Sequence, residues 1–146
     1  MKRFAGACVL VLLAGGRPLG AAGDSSVALV VNATNSVSQL SPDEVARLFL
    51  KKVRTWPDGR MAAPVDQSST SPVRAQFGKE ILRLTLGQQK EYWLAQTLSG
   101  RELPPRALEG DAAVLDFVGT QTGAIAYVSA RTELPPTVKA LKVVAP

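Results

Sequence analysis

The sequence predicts an α/β domain with a mostly parallel sheet, on the evidence of its apolar pattern and its element order. Four apolar runs are nearly continuous rather than alternating, which is typical of strands that are covered on both faces. These runs are residues 27–31, 61–65, 124–128 and 141–144. Helical patterns lie between them, and strands that interleave with helices favour a layered fold with parallel strands.

Four segments between the strands have apolar residues at helical spacing. The four sets are Val45, Leu48 and Phe49; Val73, Phe77, Ile81 and Leu84; Tyr92, Trp93, Leu94 and Leu98; and Val114, Leu115 and Val118. The third segment opens with Thr85 and Gln88 in a capping-box arrangement, and the fourth follows Asp111. Residues 99–110 are predicted to be the longest irregular stretch.

Residues 1–23 are expected to be a signal peptide. Lys2 and Arg3 form a positive region, residues 4–14 form a short apolar core, and residues 15–23 form a Gly/Ala-rich tail with small-residue cleavage positions. The core is well short of the roughly 20 apolar residues that a membrane span needs. We therefore expect a periplasmic or secreted protein whose single domain is residues 24–146. An uncleaved N-terminal anchor is the alternative.

Cleavage would change the charge of the chain and remove its cysteine. Without Lys2, Arg3 and Arg17, 14 of the 17 basic residues remain against 12 acidic residues, so the net charge falls from +5 to +2. This small excess gives little support for nucleic-acid binding, and we expect no nucleic-acid partner. Without Cys8 the mature chain has neither cysteine nor histidine.

The residue types narrow the possible chemistry. Ser–His, Cys–His and histidine-ligated zinc arrangements are excluded, and the carboxylates lack a calcium-loop spacing. No glycine-rich phosphate loop occurs. Trp56 and Trp93 are expected to pack in or beside the core. A Ser–Lys catalytic pair stays open, although no S-x-x-K spacing lies in residues 65–77. We expect a binding protein rather than an enzyme, with no metal and no cofactor.

Residues 65–77 form the candidate binding site. Asp66 ends an apolar run, and four hydroxyl residues then precede a helix, namely Ser68, Ser69, Thr70 and Ser71. Ser71 is the expected N-cap and Pro72 the first helical residue. The first turn of a helix has unpaired N–H groups and a partial positive charge, so it attracts anions. Arg74 lies in that turn, where a bound anion would offset the unfavourable position of its charge.

A second helix start in the chain provides a comparison. Ser41-Pro42 is followed by Asp43 and Glu44, so that Glu44 completes a capping box and the carboxylates neutralise the positive end. The helix start at Ser71 has no such acids and stays electropositive. The alternative is that the hydroxyl residues before it serve only as a cap and a turn.

Five motifs follow one another in an order that indicates a family. They are Val30-Val31-Asn32 with Asn35; Leu40-Ser41-Pro42-Asp43-Glu44 to Phe49; Lys52-Val53 with Trp56 and Asp58-Gly59; Asp66 to Ser71; and Gly123-Ala124-Ile125-Ala126-Tyr127. This set resembles the phosphate-binding proteins of ABC importers. The resemblance implies one lobe of their two-lobed fold, which is a three-layer single lobe like one domain of a type 2 periplasmic binding protein.

The resemblance also implies where phosphate binds. The family's anion motif is an Asp, a Gly and then Ser-Gly-Thr before a helix, and three residues match its polar positions: Asp66, Ser68 and Thr70. Gln67 and Ser69 replace the two glycines, and Pro64 stands where the family has an arginine. Arg74 is the candidate substitute for that arginine.

We therefore expect the chain to bind phosphate or a similar oxyanion. The expected ligand-binding residues are Asp66, Ser68, Ser69, Thr70, Ser71 and Arg74. Asp66 is expected to accept a hydrogen bond from protonated phosphate and to repel sulfate, which has no proton to donate. The alternative is that Asp66 is a turn or capping residue with no ligand contact. A membrane transporter or an envelope protein is the expected macromolecular partner. The alternative is a secreted envelope interaction module that kept the fold and lost the ligand.

Overall fold

The computed structural model describes residues 26–145, which form one six-stranded sheet with helices on both faces. The strands are β1 (Val27–Asn32), β2 (Gln39–Leu40), β3 (Ala63–Gln67), β4 (Arg106–Leu108), β5 (Ala124–Ser129) and β6 (Val138–Val143). Their order across the sheet is β2-β6-β1-β5-β3-β4. β1 is antiparallel to its neighbours β5 and β6, and the other pairings are parallel. The predicted mostly parallel α/β fold is confirmed.

The sheet divides the hydrophobic core into two halves, and helices cover both faces. The helices are α1 (Pro42–Phe49), α2 (Pro72–Phe77), α3 (Leu86–Leu98) and α4 (Gly110–Thr120), with a π-helical segment, Gly78–Leu82, directly after α2. On one face of the sheet, Phe49 and Phe77 pack against Tyr127 of β5, and the Phe77 and Tyr127 rings stack at 4.0 Å. On the other face, Val114 and Val118 of α4 are fully buried. The domain therefore has three layers.

Local capping sets the starts of three helices as predicted. The Ser41 hydroxyl accepts from the Glu44 amide while the Glu44 carboxylate accepts from the Ser41 amide, and Thr85 and Gln88 form the same reciprocal pair. Ser71 is the N-cap of α2 and accepts from the amide three residues later. These starts follow from side chains within one turn of each helix end.

The prediction of an irregular segment at residues 99–110 is wrong in part. Arg106–Leu108 forms β4, which pairs in parallel with β3 at the edge of the sheet. Arg106 and Ala107 are exposed, so no apolar pattern marks this strand, and main-chain hydrogen bonds hold it. The neighbouring strand β3 begins and ends two residues later than predicted, and the added residues at its end, Asp66 and Gln67, take part in this pairing.

The second helical pattern does not form one continuous α-helix. α2 ends at Phe77, the chain continues as the π-helical segment, and Arg83 adopts a left-handed conformation with φ of +54°. A Cβ on Gly78 would lie 2.3 Å from Nε2 of Gln89 and 2.8 Å from the carbonyl oxygen of Leu84. The missing side chain at Gly78 thus lets the start of α3 pack directly against the end of α2.

None of the helices within residues 26–145 has the length and apolar character to cross a membrane. The expected signal peptide, residues 1–23, lies outside the described residues, and so does Cys8. Cleavage and the anchor alternative therefore stay predictions.

Candidate functional site

The predicted binding segment connects the end of β3 to the start of α2. Asp66 and Gln67 are the last residues of β3, and Ser71 is the N-cap of α2. Two main-chain hydrogen bonds fix the turn between them: the Ser68 amide donates to the Leu108 carbonyl at 3.0 Å, and the Ser71 amide donates to the Ser68 carbonyl at 2.9 Å. The turn lies at the carboxyl edge of two parallel strands, where ligands bind in open α/β sheets.

Asp66 is buried, with 7% of the residue exposed, and protein donors surround its carboxylate. Oδ1 accepts from the Tyr127 hydroxyl and from the Gln67 amide, and Oδ2 lies 3.3 Å from Nη2 of Arg74. Burial raises the pKa of Asp66 above its ordinary value of 3.8, although the Tyr127 hydrogen bond and the Arg74 charge both oppose that rise. Burial and the adjacent Asp66 also raise the pKa of Tyr127, so its hydroxyl remains a donor.

Arg74 extends from α2 back toward the end of β3. Its Nη1 donates to the Gln67 carbonyl at 2.9 Å, and its Nη2 faces Asp66. Its Nε is buried and has no hydrogen-bond partner within residues 26–145. A buried donor without an acceptor costs free energy, so this N–H is an unfilled hydrogen-bonding position beside the turn.

Gln67, one of the two residues that replace a family glycine, has an internal role that the sequence did not indicate. It is 1% exposed, and its Nε2 donates to Oδ1 of Asp111 at 2.9 Å and to the Tyr127 carbonyl at 3.0 Å. Its Oε1 accepts from the Ser71 hydroxyl at 2.7 Å. The proton of the Ser71 hydroxyl is therefore directed into the protein, and Ser71 contributes to the site as the helix cap.

Asp111 lies inside the first turn of α4 rather than before the helix as predicted. Its Oδ2 accepts from the Ser129 amide at 3.1 Å and from the Thr132 hydroxyl at 2.5 Å, while Oδ1 accepts from Gln67. These contacts draw the carboxylate toward β5, and no side chain caps the helix at Glu109. Asp111 thereby links α4 and β5 to the residue that precedes the turn.

An open cleft of about 540 Å³ lies beside the turn, between α3 and the segment that leads into β4. Its charged and hydroxyl lining residues are Asp66, Ser69, Arg74 and Lys90. Three of the predicted site residues thus share one cleft. Ser68 and Thr70 lie on the exposed turn, with their hydroxyl oxygens 3.1 Å apart.

Two residues of this region were not predicted as part of the site. Lys90 is on α3, and no local pattern connects it with the segment at Asp66. Tyr127 belongs to a motif of the family resemblance, but its contact with Asp66 joins residues 61 positions apart. Such contacts depend on the folded arrangement of β3, β5 and α3, which local sequence patterns do not specify.

Solved structures with this fold include phosphate receptors. A Clostridium perfringens protein with bound phosphate, assigned as a phosphate ABC transporter substrate-binding protein, matches with a TM-score of 0.65 at 19% identity. An ABC-type phosphate transport receptor from Vibrio cholerae matches with a TM-score of 0.62 at 18% identity. PstS from Borrelia burgdorferi matches with a TM-score of 0.63 at 9% identity.

These matches cover most of this chain but less than half of each neighbour. They span 81%, 80% and 81% of this chain, and 44%, 45% and 47% of the respective neighbours. No protein-family model matches the sequence, and no curated protein sequence matches it. The comparisons therefore establish the fold: a periplasmic-binding-protein-like domain that corresponds to part of the phosphate receptors.

Proposed function

We propose that this protein is an exported binding protein for phosphate or a similar oxyanion. The observation that carries the proposal is the cleft at the carboxyl edge of β3, which Asp66, Ser69, Arg74 and Lys90 line in a fold shared with phosphate receptors. Ser68 and Thr70, on the adjacent turn, would supply further hydroxyl donors to the same anion. A membrane transporter is the partner that import would require.

The charges of the cleft support an anionic ligand. Asp66 and Arg74 pair with each other, whereas Lys90 is exposed and pairs with no carboxylate among the described residues. The cleft therefore carries a net positive charge, which is complementary to an oxyanion. α2 also begins at this point without an acid in its first turn.

Titration calorimetry with phosphate and with sulfate tests this proposal. We expect a saturable heat of binding with phosphate. Lys90→Gln should lower the affinity for phosphate, and this loss of affinity should become smaller as salt is added. Lys142→Gln is the matched control, because this exposed lysine lies on β6 away from the cleft. If neither anion binds the wild-type chain, the proposal is wrong.

The export part of the proposal rests on the sequence of residues 1–23. Intact-mass analysis of the protein recovered outside the cytoplasm should place the new N-terminus between residues 22 and 25. Molecules that mostly retain Met1 would instead indicate an N-terminal anchor.

The second candidate is an envelope interaction module that has lost its ligand. Three apolar side chains on α3 and just after it favour this candidate, since they are 56%, 78% and 64% exposed: Leu94, Leu98 and Leu103. The buried Gln67 side chain also favours this candidate, because it occupies a position where the family has a glycine. This candidate predicts no heat with phosphate or sulfate in the calorimetry above.

A further inference from the structure

We propose that the cleft beside Asp66 takes an organic phosphate, meaning a phosphate monoester that carries a small apolar or aromatic group. This inference rests on the proposed function, because the same charged residues would bind the phosphate end of the ligand. The observation behind it is that the cleft of about 540 Å³ combines a few charged groups with a mainly apolar wall.

The size and composition of the cleft suit a small organic molecule. Pockets for such ligands have volumes of about 300–1,000 Å³ and are mostly apolar, with a few polar groups that fix the ligand's orientation. An inorganic phosphate ion would fill only a small part of this space. All its oxygens seek hydrogen bonds or water, so it gives an apolar wall nothing favourable to contact.

On one face of α3, a lysine stands between two apolar residues of the helix. Leu86, Lys90 and Trp93 stand at positions i, i+4 and i+7 of the helix, which place them on one face, and all three line the cleft. Along this face Lys90 therefore stands between an aliphatic residue, Leu86, and an aromatic residue, Trp93. An anion held by Lys90 would bring any substituent it carries against one of them.

A further part of the cleft lining is apolar. Pro104, Pro105 and Ala107 line it on the way into β4. Proline has no backbone N–H, so an apolar group lying against these two residues leaves no main-chain donor unsatisfied there. The fixed φ of each proline also restricts the movement of this wall.

Contacts away from the cleft hold α3 in position. The Tyr92 hydroxyl donates to the Leu50 carbonyl at 2.7 Å, and the buried Gln89 packs against Gly78. Within α3, the anchored Tyr92 ring packs edge-on against the Trp93 indole, which lines the cleft, with the centroids 4.9 Å apart. The cleft is thus formed before a ligand arrives, which reduces the entropy lost on binding.

Calorimetry of the same chain with phenyl phosphate, inorganic phosphate and phenol at about pH 5 tests the inference, because below the second phosphate pKa of about 6 each phosphate still carries a proton that Asp66 can accept. We expect phenyl phosphate to bind about tenfold more tightly than inorganic phosphate, because its ring leaves water. Phenol, which lacks the phosphate, should bind far more weakly than phenyl phosphate. Leu86→Ser should weaken phenyl phosphate binding about three- to tenfold and change inorganic phosphate binding by less than about twofold.

Two further variants separate the charge from the apolar wall. Lys90→Gln should weaken the binding of both anions. Leu94→Ser is the matched control for Leu86→Ser, because this exposed leucine of the same helix does not line the cleft, and it should change neither affinity.

Each outcome decides between the two proposals. If inorganic phosphate binds and phenyl phosphate binds no more tightly, the organic-phosphate inference fails while the proposed function stands. Equal losses from Leu86→Ser and Leu94→Ser, or phenol binding as tight as that of phenyl phosphate, would also overturn it. If neither anion binds, both proposals fail.

Discussion

The Arg74 guanidinium and the Asp66 carboxylate form an ion pair across the junction of β3 and α2, with Nη2 and Oδ2 3.3 Å apart. The two side chains are only 17% and 10% exposed. Removing two charges from water is costly, so such a pair contributes mainly by preventing either charge from being buried alone. The same arginine also holds the Gln67 carbonyl at the end of the strand.

Loss of this arginine should destabilise the fold. We expect Arg74→Gln to lower the free energy of unfolding by about 1–3 kcal/mol, because it leaves the Asp66 carboxylate buried without its cation. Chemical denaturation measures the change, and Arg101→Gln, an exposed arginine, should stay within about 0.5 kcal/mol of wild type. Adding Asp66→Asn should recover part of the loss. Strictly additive effects would show that the two side chains are not coupled.

Thr70 tests whether the exposed turn takes part in binding. Thr70→Ala should weaken phosphate binding by about 1–3 kcal/mol, the range for hydrogen bonds to charged groups, and barely alter folding. Thr97→Ala, at an exposed threonine of α3, provides the control for calorimetry and for thermal unfolding. Unchanged phosphate affinity in Thr70→Ala would remove this hydroxyl from the site.

Two glycines should respond to alanine in opposite directions. Gly78→Ala should cost about 1–3 kcal/mol of stability, because its Cβ would lie 2.8 Å from the Leu84 carbonyl oxygen and 2.3 Å from the buried Gln89 side chain. Gly87 lies in α3 with its nearest such neighbour 3.8 Å away, so Gly87→Ala should gain up to about 1 kcal/mol. Similar unfolding free energies for the two variants would contradict the packing seen at Gly78.

Most of the fold was predictable because the patterns that specify its central strands and its helix starts lie within short stretches of sequence. Residues 124–128 form a continuous apolar run and are all buried between the helix layers, and Ser41 and Thr85 start their helices through contacts within one turn. β4 lacks such a signal because two of its three residues, Arg106 and Ala107, are exposed. The π-helical segment was not predicted, and Gly78 at its start lies against Gln89 of α3, a tertiary contact that local patterns do not indicate.

The candidate site likewise combines features that local sequence predicts with contacts that only the folded chain brings together. The turn from Asp66 to Ser71 was predicted from its hydroxyl residues and the proline-started helix, which are adjacent in sequence. Lys90 and Tyr127 reach the region from other elements, and no spacing rule joins them to Asp66. The internal role of Gln67 was hidden for the same reason, since its partners lie on α4 and β5.

The raised pKa of Asp66 predicts how stability depends on pH. Between its ordinary pKa of 3.8 and the raised value, the folded state retains a proton that the unfolded chain has lost. The contribution of Asp66 to the free energy of unfolding should therefore fall as pH rises through that window. Above the window the carboxyl is ionised in the folded and the unfolded state, and the full cost of burying its charge is present. Unfolding free energies of wild type and Asp66→Asn across this range give the contribution as their difference. A difference that grows in favour of wild type as pH rises would show a lowered pKa instead.

Asp66 is also the residue expected to distinguish phosphate from sulfate. Its carboxylate lines the cleft, and once ionised it can only accept hydrogen bonds. Inorganic phosphate near neutral pH still carries a proton to donate, because its second ionisation leaves one proton on the ion. Sulfate has none, so it would meet the carboxylate as an unrelieved like charge, and phosphate should bind clearly more tightly.

Replacing the carboxylate should reduce that preference. Asp66→Asn removes the charge and supplies a donor, so sulfate should gain affinity relative to phosphate. Competition calorimetry near neutral pH measures the ratio of the two affinities in both proteins. Because Arg74 would lose its partner in the variant, the binding of both anions can increase, and only the ratio isolates the effect of the carboxylate. If wild type already binds sulfate as tightly as phosphate, Asp66 does not select the anion, and the cleft recognises negative charge alone.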